Sequence, residues 1–589
     1  MIHKIESKYI LKYILTYIPD KYFALKLFAH SKYYRNKLEL NNLFDPIKFL
    51  HELNFDLAQY LYKSQELYEK DILAKEYNNF ISKHKINKKR FENLLLSLIN
   101  EKELEYKDEY IDINSPLFDL ISKTKDYDKY YTIYISQKNI DKYKLKNNYK
   151  KTFNKLNKLN KKYSSIYYIF NEKEKLNYLK ELNMNINNIK KLRLRYEGED
   201  IFINYNYEGT YNAINILNLF QNLEQLIING NRYILHLLVT VNLKELKELD
   251  LYDNNMYNIN SLGKVKFDKL EKLNLGMNGI DDINILENVN FEELKEINLS
   301  SNNISDIKVL GKVKFYKLEK IYLYYNAIRN INILSSCYFK ELKKLDLSYN
   351  EISNIKVFEY VGCERLEILN LSHNKISDIN ILENVNFKEL KELDLSWNRI
   401  DDIKAFIKLK SDKLEKLYLG HNIIKDINIL EKVKFKDLKE LDLSCNTISD
   451  INILEKVKFD ELRKLYLSGN KKISNINVLE RVKFDKLEKI DLSGNEIPDI
   501  KVLEKVNFDK LEIIDLSDNK ISDINILKNV NFTELKLLDL SYNKISDIKV
   551  LENVKFNKLE KLNLYNNEIL DKELINNLQL KELKKKIYI

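Results

Sequence analysis

The side chains able to do chemistry are few. Three cysteines, Cys337, Cys363 and Cys445, and seven histidines are scattered through 589 residues. An odd, dispersed cysteine set gives neither a disulfide framework nor metal-ligand spacing. His373 and His421 are separated by two copies of a 24-residue repeat. At about 4.8 Å per strand that is roughly 10 Å, too far to share a metal ion. Cys445 follows His421 by one copy, but nothing completes a nucleophile–base arrangement. No Gly-rich phosphate loop, CxxC pair or HExxH segment occurs. These absences argue against an enzyme, and no cofactor or metal is expected. A different chemistry is written in Tyr325, Tyr349, His373, Trp397 and His421, each 24 residues from the next. Aromatic and imidazole rings in a regular row suit burial against another protein, because they cover much area with few rotors frozen.

What spaces them is a repeated phrase, clearest at Glu389–Ile400, ELKELDLSWNRI. Its asparagine returns at positions 231, 254, 278, 302, 326, 350, 374, 398, 422, 446, 470, 495, 519, 543 and 567. The steps are 23, nine of 24, one of 25 where Lys471–Lys472 adds a residue, and three of 24. A fixed period of this length marks a solenoid, whose units cannot bury their apolar faces alone and must stack. In each unit three leucines such as Leu390, Leu393 and Leu395 should point inward from a short strand, with the intervening residues on the concave side. The asparagine can satisfy backbone groups in the turn leaving the strand. Ser377 or Asp378 can cap one helical turn, while Ile376, Ile379, Leu382, Val385 and Phe387 fill the convex half of the core.

The phrase L-x-x-L-x-L-x-x-N resembles the leucine-rich repeat. Its continuation N-x-I-x-x-I-x-x-L resembles the short repeats of the protein-phosphatase regulatory subunit and of bacterial internalins. The resemblance covers residues 223–569 and implies an α/β solenoid with a parallel concave sheet of about 15 repeats, binding protein on that face and carrying no activity. The candidate partner-binding residues are Tyr322, Tyr324, Tyr325, Tyr349, His373, Trp397, Tyr418 and His421. Alternate repeats read E-L-K-E and K-L-E-K, which places Lys272, Glu296 and Lys320, then Glu392, Lys416, Glu440 and Lys464, on successive rungs, where opposite charges can pair laterally.

Residues 1–40 read as two short helices. Ile10–Asp20 (ILKYILTYIPD) and Ser31–Leu38 resemble an F-box, the module that docks on the Skp adaptor of cullin ubiquitin ligases. The opening Leu-Pro pair is missing, His30 stands where an apolar residue is usual, and Tyr34 replaces the usual tryptophan. The resemblance implies adaptor contacts by Leu11, Ile14, Leu15, Ile18, Pro19, Leu25 and Tyr34, and makes the chain a candidate substrate-recognition subunit bringing targets to a cullin–RING ligase. The alternative is a scaffold or regulatory subunit, phosphatase-regulator-like, with no ubiquitin role.

Residues 41–180 read as helix-rich, with Phe91, Leu94, Leu95 and Leu98 on one helical face. Ten lysines against Asp141 alone occupy 138–162, most simply a solvated face. Residues 181–222 read as an amino-terminal cap, in which Ile201–Asn206 alternates like a strand, and 570–589 as a closing helix. The net charge of +10 comes from 98 basic and 88 acidic residues, a mixed surface that disfavours nucleic-acid binding. No apolar stretch suggests a signal peptide or a membrane span. An intracellular protein, cytoplasmic or nuclear and monomeric outside its complex, is expected. The exported internalins are thereby disfavoured as functional relatives.

Overall fold

The computed structural model describes residues 110–112, 131–136, 163–171, 189–197, 587–588 and 217–569, the last without 219, 555 and 557. The chain divides into two units, Met1–Leu246 and Lys247–Ile589.

In the first unit β1 (Tyr110–Asp112), β2 (Tyr131–Ser136), β3 (Tyr163–Asn171), β4 (Lys191–Glu197) and β5 (Gln225–Asn229) pair in sequence, all parallel. The first three fall in the stretch read as helix-rich, so that reading does not hold for them. YTIYIS and YSSIYYIFN are runs of β-branched and aromatic side chains, which suit a pleated surface better than a helix. The remainder of 41–180 lies outside the described residues, as do 1–40 and Ile201–Asn206. Leu192 and Leu194 are buried on β4, and a short helix, α1 (Ile234–Leu238), follows β5.

The second unit is a stack of fourteen three-residue strands, from Glu248–Asp250 to Lys561–Asn563, each parallel to the next, with the central leucine or isoleucine of one in register with that of the next. Ile587–Tyr588, in the segment read as a closing helix, instead pairs with the last strand. Each rung repeats one design. In the rung of Asn398, Leu390, Leu393 and Leu395 are fully buried, and across the core Ile376, Ile379, Leu382, Val385 and Phe387 close the convex half. The helical turn is a 3-10 turn, Asn380–Glu383. Asp378 anchors it from two residues before, its Oδ1 accepting the Asn380 N–H at 2.9 Å. Each buried Leu, Ile or Phe contributes roughly 1.5–3 kcal/mol of transfer free energy, and none of it is available to an isolated rung.

Polar groups are accounted for by the asparagine. Asn398 Nδ2 donates to the carbonyls of Leu395, Ser396 and, one rung back, Leu371, at 3.0–3.1 Å. Its Oδ1 accepts the Ile376 N–H at 3.0 Å. Each asparagine thus bolts its own turn to the preceding rung. The 25-residue repeat breaks this once. Asn495 keeps its donated bonds to Leu467, Leu492 and Ser493, but its buried Oδ1 has no partner. In neighbouring rungs that oxygen takes the N–H found 22 residues earlier. Ile473 keeps that separation from Asn495, but the added residue lengthens the turn between Asn470 and Ile473, and its N–H does not reach the Asn495 Oδ1.

Candidate functional site: a column of stacked rings

The strand of each rung ends four residues before its asparagine, and the chain leaves it by a tight turn. Asp394 Oδ1 accepts both the N–H (2.9 Å) and the hydroxyl (2.6 Å) of Ser396. The residue after the serine then turns left-handed, and in all fourteen rungs from Asn254 to Asn567 it has a φ between +51° and +65°. A left-handed side chain costs roughly 1–2 kcal/mol except in glycine. Twelve of those fourteen positions nevertheless carry one.

Five successive rungs put a ring there. Tyr325 lies on Tyr349 with centroids 3.9 Å apart, Tyr349 on His373 at 3.8 Å, His373 on Trp397 at 4.8 Å and Trp397 on His421 at 3.6 Å. All four pairs are within 15° of parallel. The rings therefore form one continuous column, standing on the turns where the strands end. Such stacking contributes about 0.5–1.5 kcal/mol per pair beyond area burial, comparable to the backbone cost. The faces are spent on one another, while the outer edges remain in solvent: Tyr325 is 51% and Trp397 48% exposed.

Burial lowers the pKa of both histidines; His421 lowers that of His373 further, and Asp442 partly offsets the shift at His421. Both imidazoles are neutral near pH 7. A hydrogen bond with Tyr325, then burial, raises the Tyr349 hydroxyl. The indole of Trp397 stands between the two imidazoles, so they cannot converge on one metal ion. Among the described residues no group of three or more His, Cys, Asp or Glu is arranged to hold one. Burial pushes the Cys337 and Cys363 thiols up to about 12 and raises Cys445 as well, which keeps all three protonated and poorly nucleophilic.

Of the eight candidate partner-binding residues, five make the column. Tyr324 adjoins one end of it, in a T-shaped contact with Tyr325 at 6.1 Å. Tyr322 and Tyr418 lie instead on the strands, four rungs apart, with Lys344 Nζ 5.0 Å from the Tyr322 ring centroid. Burial raises both of these hydroxyls. The seven adaptor-binding candidates between Leu11 and Tyr34 lie outside the described residues.

The charge ladder forms in one direction: Lys320 to Glu296 at 3.3 Å, Lys416 to Glu392 at 3.0 Å and Lys464 to Glu440 at 3.5 Å, each lysine reaching back one rung. A second ladder, absent from the sequence reading, runs one residue earlier with Lys295–Glu271, Lys343–Glu319, Lys391–Glu367 and Lys439–Glu415 at 2.6–2.8 Å. The sequence reading also missed Asp491, Asp515 and Asp539, in register on three adjacent strands. Burial foremost, and these two neighbours, raise the Asp515 carboxyl.

Residues 340–400 match the family described as leucine rich repeat, and 436–481 the one described as leucine rich repeats in two copies. The second unit is a leucine-rich repeat solenoid. No curated protein matches the chain. Among solved structures, the Toll–Spatzle complex of Drosophila is similar at 18% identity and a TM-score of 0.52, over 78% of this chain and 61% of that one. An internalin from Listeria monocytogenes matches at 26% identity and 0.45, over 54% and 86%. The ectodomain of the Arabidopsis thaliana receptor kinase GASSHO1/SCHENGEN3 matches at 20% and 0.37, over 68% and 58%. The likeness is one of fold. Leucine-rich repeats of this kind serve mostly as binding surfaces, and no helix among the described residues is long and apolar enough to cross a membrane.

Proposed function

We propose that the protein is a non-catalytic, intracellular binding solenoid that holds a protein target against the ring column Tyr325–His421. The observation that carries this reading is the column itself. Five partly exposed rings occupy positions where serine, aspartate or glycine suffices elsewhere in the same solenoid, as at Ser301, Asp518 and Gly494. Their stacking fixes the side chains beforehand, so little rotamer entropy remains to be lost on binding. The neighbouring Tyr322 and Tyr418 on the strands widen the surface.

The resemblance of residues 1–40 to an F-box supports a finer version of this reading, in which a Skp-like adaptor and a cullin dock there and the solenoid presents a target for ubiquitination. A scaffold or regulatory subunit using the same column is the reading without that module. Affinity capture from the organism's own cells separates them. The double variant Trp397→Ser, His421→Ser should lose the target while keeping its fold, since serine occupies this position at Ser301. Removal of residues 1–40 should lose adaptor and cullin but keep the target. Unchanged capture by the serine variant would rule out the column as the binding surface.

A further inference from the structure

The two ends of the column differ. At one end the Tyr325 ring makes a T-shaped contact with its neighbour Tyr324 at 6.1 Å, and the next rung out carries Ser301. At His421 the next three rungs carry Cys445, Gly469 and Gly494 in the same left-handed position. One thiol and two hydrogens thus follow five rings. The space above Cys445 is limited at its base by the sulfur, which leans towards Gly469: a Cβ there would meet Cys445 Sγ at 2.8 Å. No ring occupies this position at Cys445, Gly469 or Gly494, and the Asp518 side chain ends the gap four rungs on from His421. At about 4.8 Å per rung the gap is long enough for one or two planar groups at stacking distance.

Charge is distributed unevenly about this gap. On its flank the strands carry Asp442, Tyr466, Asp491, Asp515 and Asp539 in register. The carboxylates of Asp491, Asp515 and Asp539 face one another across adjacent strands. Each accepts from its own serine, and Asp539 also from Asn563 Nδ2 at 2.8 Å; two residues earlier on the strands, Ile513 and Leu537 stand between Lys489 on one side and Lys561 on the other. The nearer cations are engaged or lie to the side: Lys464 with Glu440, Lys489 over the Tyr466 ring at 4.8 Å, and Lys471 beside Cys445. An anionic ligand such as a phosphodiester would be repelled along this row, and a cationic one would relieve the repulsion among the three carboxylates.

We infer that the gap at Cys445, Gly469 and Gly494 receives an aromatic side chain of a protein partner, which stacks on His421 and extends the column, while basic residues of the same segment lie along Asp491, Asp515 and Asp539. The inference rests on the column being the binding surface. The acidic row begins two rungs beyond Cys445 and ends at the fourth, roughly 10–19 Å away, so an extended segment would place its cations about three to six residues from the aromatic.

The test uses the full chain and a short fluorescein-labelled peptide bearing one tryptophan, a glycine–serine spacer of about four residues and a lysine cluster. Controls replace the tryptophan by leucine or the lysines by glutamates, and a labelled single-stranded oligothymidylate stands for nucleic acid. Cys445→Tyr fills the gap with the protein's own ring in a conformation that Tyr325 and Tyr349 already adopt. The triple variant Asp491→Asn, Asp515→Asn, Asp539→Asn removes charge and keeps the turn, since Asn370 accepts from Ser372 just as the aspartates do from their serines. Anisotropy should show binding of the tryptophan–lysine peptide, weakened about tenfold or more by Cys445→Tyr, by the triple variant and by either peptide control. No binding, equal binding of the leucine peptide, indifference to Cys445→Tyr, or preference for the oligonucleotide would each overturn the inference. The cellular target separates the two readings. If Trp397→Ser releases it and Cys445→Tyr does not, the column stands and the gap fails; if neither does, the column itself fails.

Discussion

Rungs 326–422 and rungs 446–519 of the same solenoid are built from one repeat and differ in almost everything the repeat leaves free. In the first set the turn position carries rings and the ladder of asparagines is complete; in the second it carries Cys445, Gly469, Gly494 and Asp518, and Asn495 Oδ1 is unpartnered. The charge order changes as well. Glu392 and Lys416 face each other before the 25-residue repeat, whereas Lys464 faces Lys489 across it. The core does not change: Leu393, Leu417, Leu465 and Ile490 are equally buried. The buried core and the variable turn position are therefore carried by separate side chains of the same rung. The fold can be held constant while the surface is rewritten rung by rung.

The largest expected effect tests the ladder. Asn398→Ala strands the Ile376 N–H and removes one of two donors from each of the Leu371, Leu395 and Ser396 carbonyls, which keep Asn374, Asn422 and the His373 N–H, and should cost roughly 3 kcal/mol in denaturant unfolding. Asn495→Ala should cost about 1–2 kcal/mol less, because its Oδ1 satisfies nothing. Equal losses would mean that the joint at Lys471 is as tight as the others. Deleting Lys471 restores a 24-residue step and should return a donor to Asn495, a gain of about 1 kcal/mol readable as a higher urea midpoint.

A smaller effect separates the ring-bearing rungs from the rest. Because burial lowers the pKa of His373 and His421, the unfolded chain binds protons more readily than the folded one. Their contribution to stability is complete above their ordinary pKa, near 6.5, and is lost as pH falls through the lowered values. Thermal melts should show a drop between neutral and mildly acidic pH that the double variant His373→Ser, His421→Ser lacks. The smallest effect is expected of the ion pairs. Lys416→Ala, which frees Glu392 on a partly exposed face, should change stability by only about 0–1 kcal/mol, and less at high salt.

The core was legible because it repeats: leucine, asparagine and isoleucine at fixed offsets admit one arrangement, and Leu390, Asn398 and Ile400 are buried as the pattern requires. The five rings were legible as a row but not as a column. Strands about 4.8 Å apart do not by themselves bring rings into contact; the left-handed turn does, and Tyr, His and Trp are not residues that announce one. Gly469 and Gly494 in the same series were the hint. The strands at 131–136 and 163–171 were legible in YTIYIS and YSSIYYIFN, but the lysine-rich stretch between them and the helical spacing of Phe91–Leu98 drew the reading towards helix.

The chain has one tryptophan, and it is the fourth ring of the column. Its indole lies 4.8 Å from one imidazole and 3.6 Å from another, and a protonated imidazole quenches indole emission whereas a neutral one scarcely does. Excited at wavelengths that the 41 tyrosines do not absorb, the indole emission of the unmodified protein therefore comes from a single point on the candidate binding surface. Its intensity should report the protonation of the two neighbours, and its wavelength the arrival of anything that covers the ring edge.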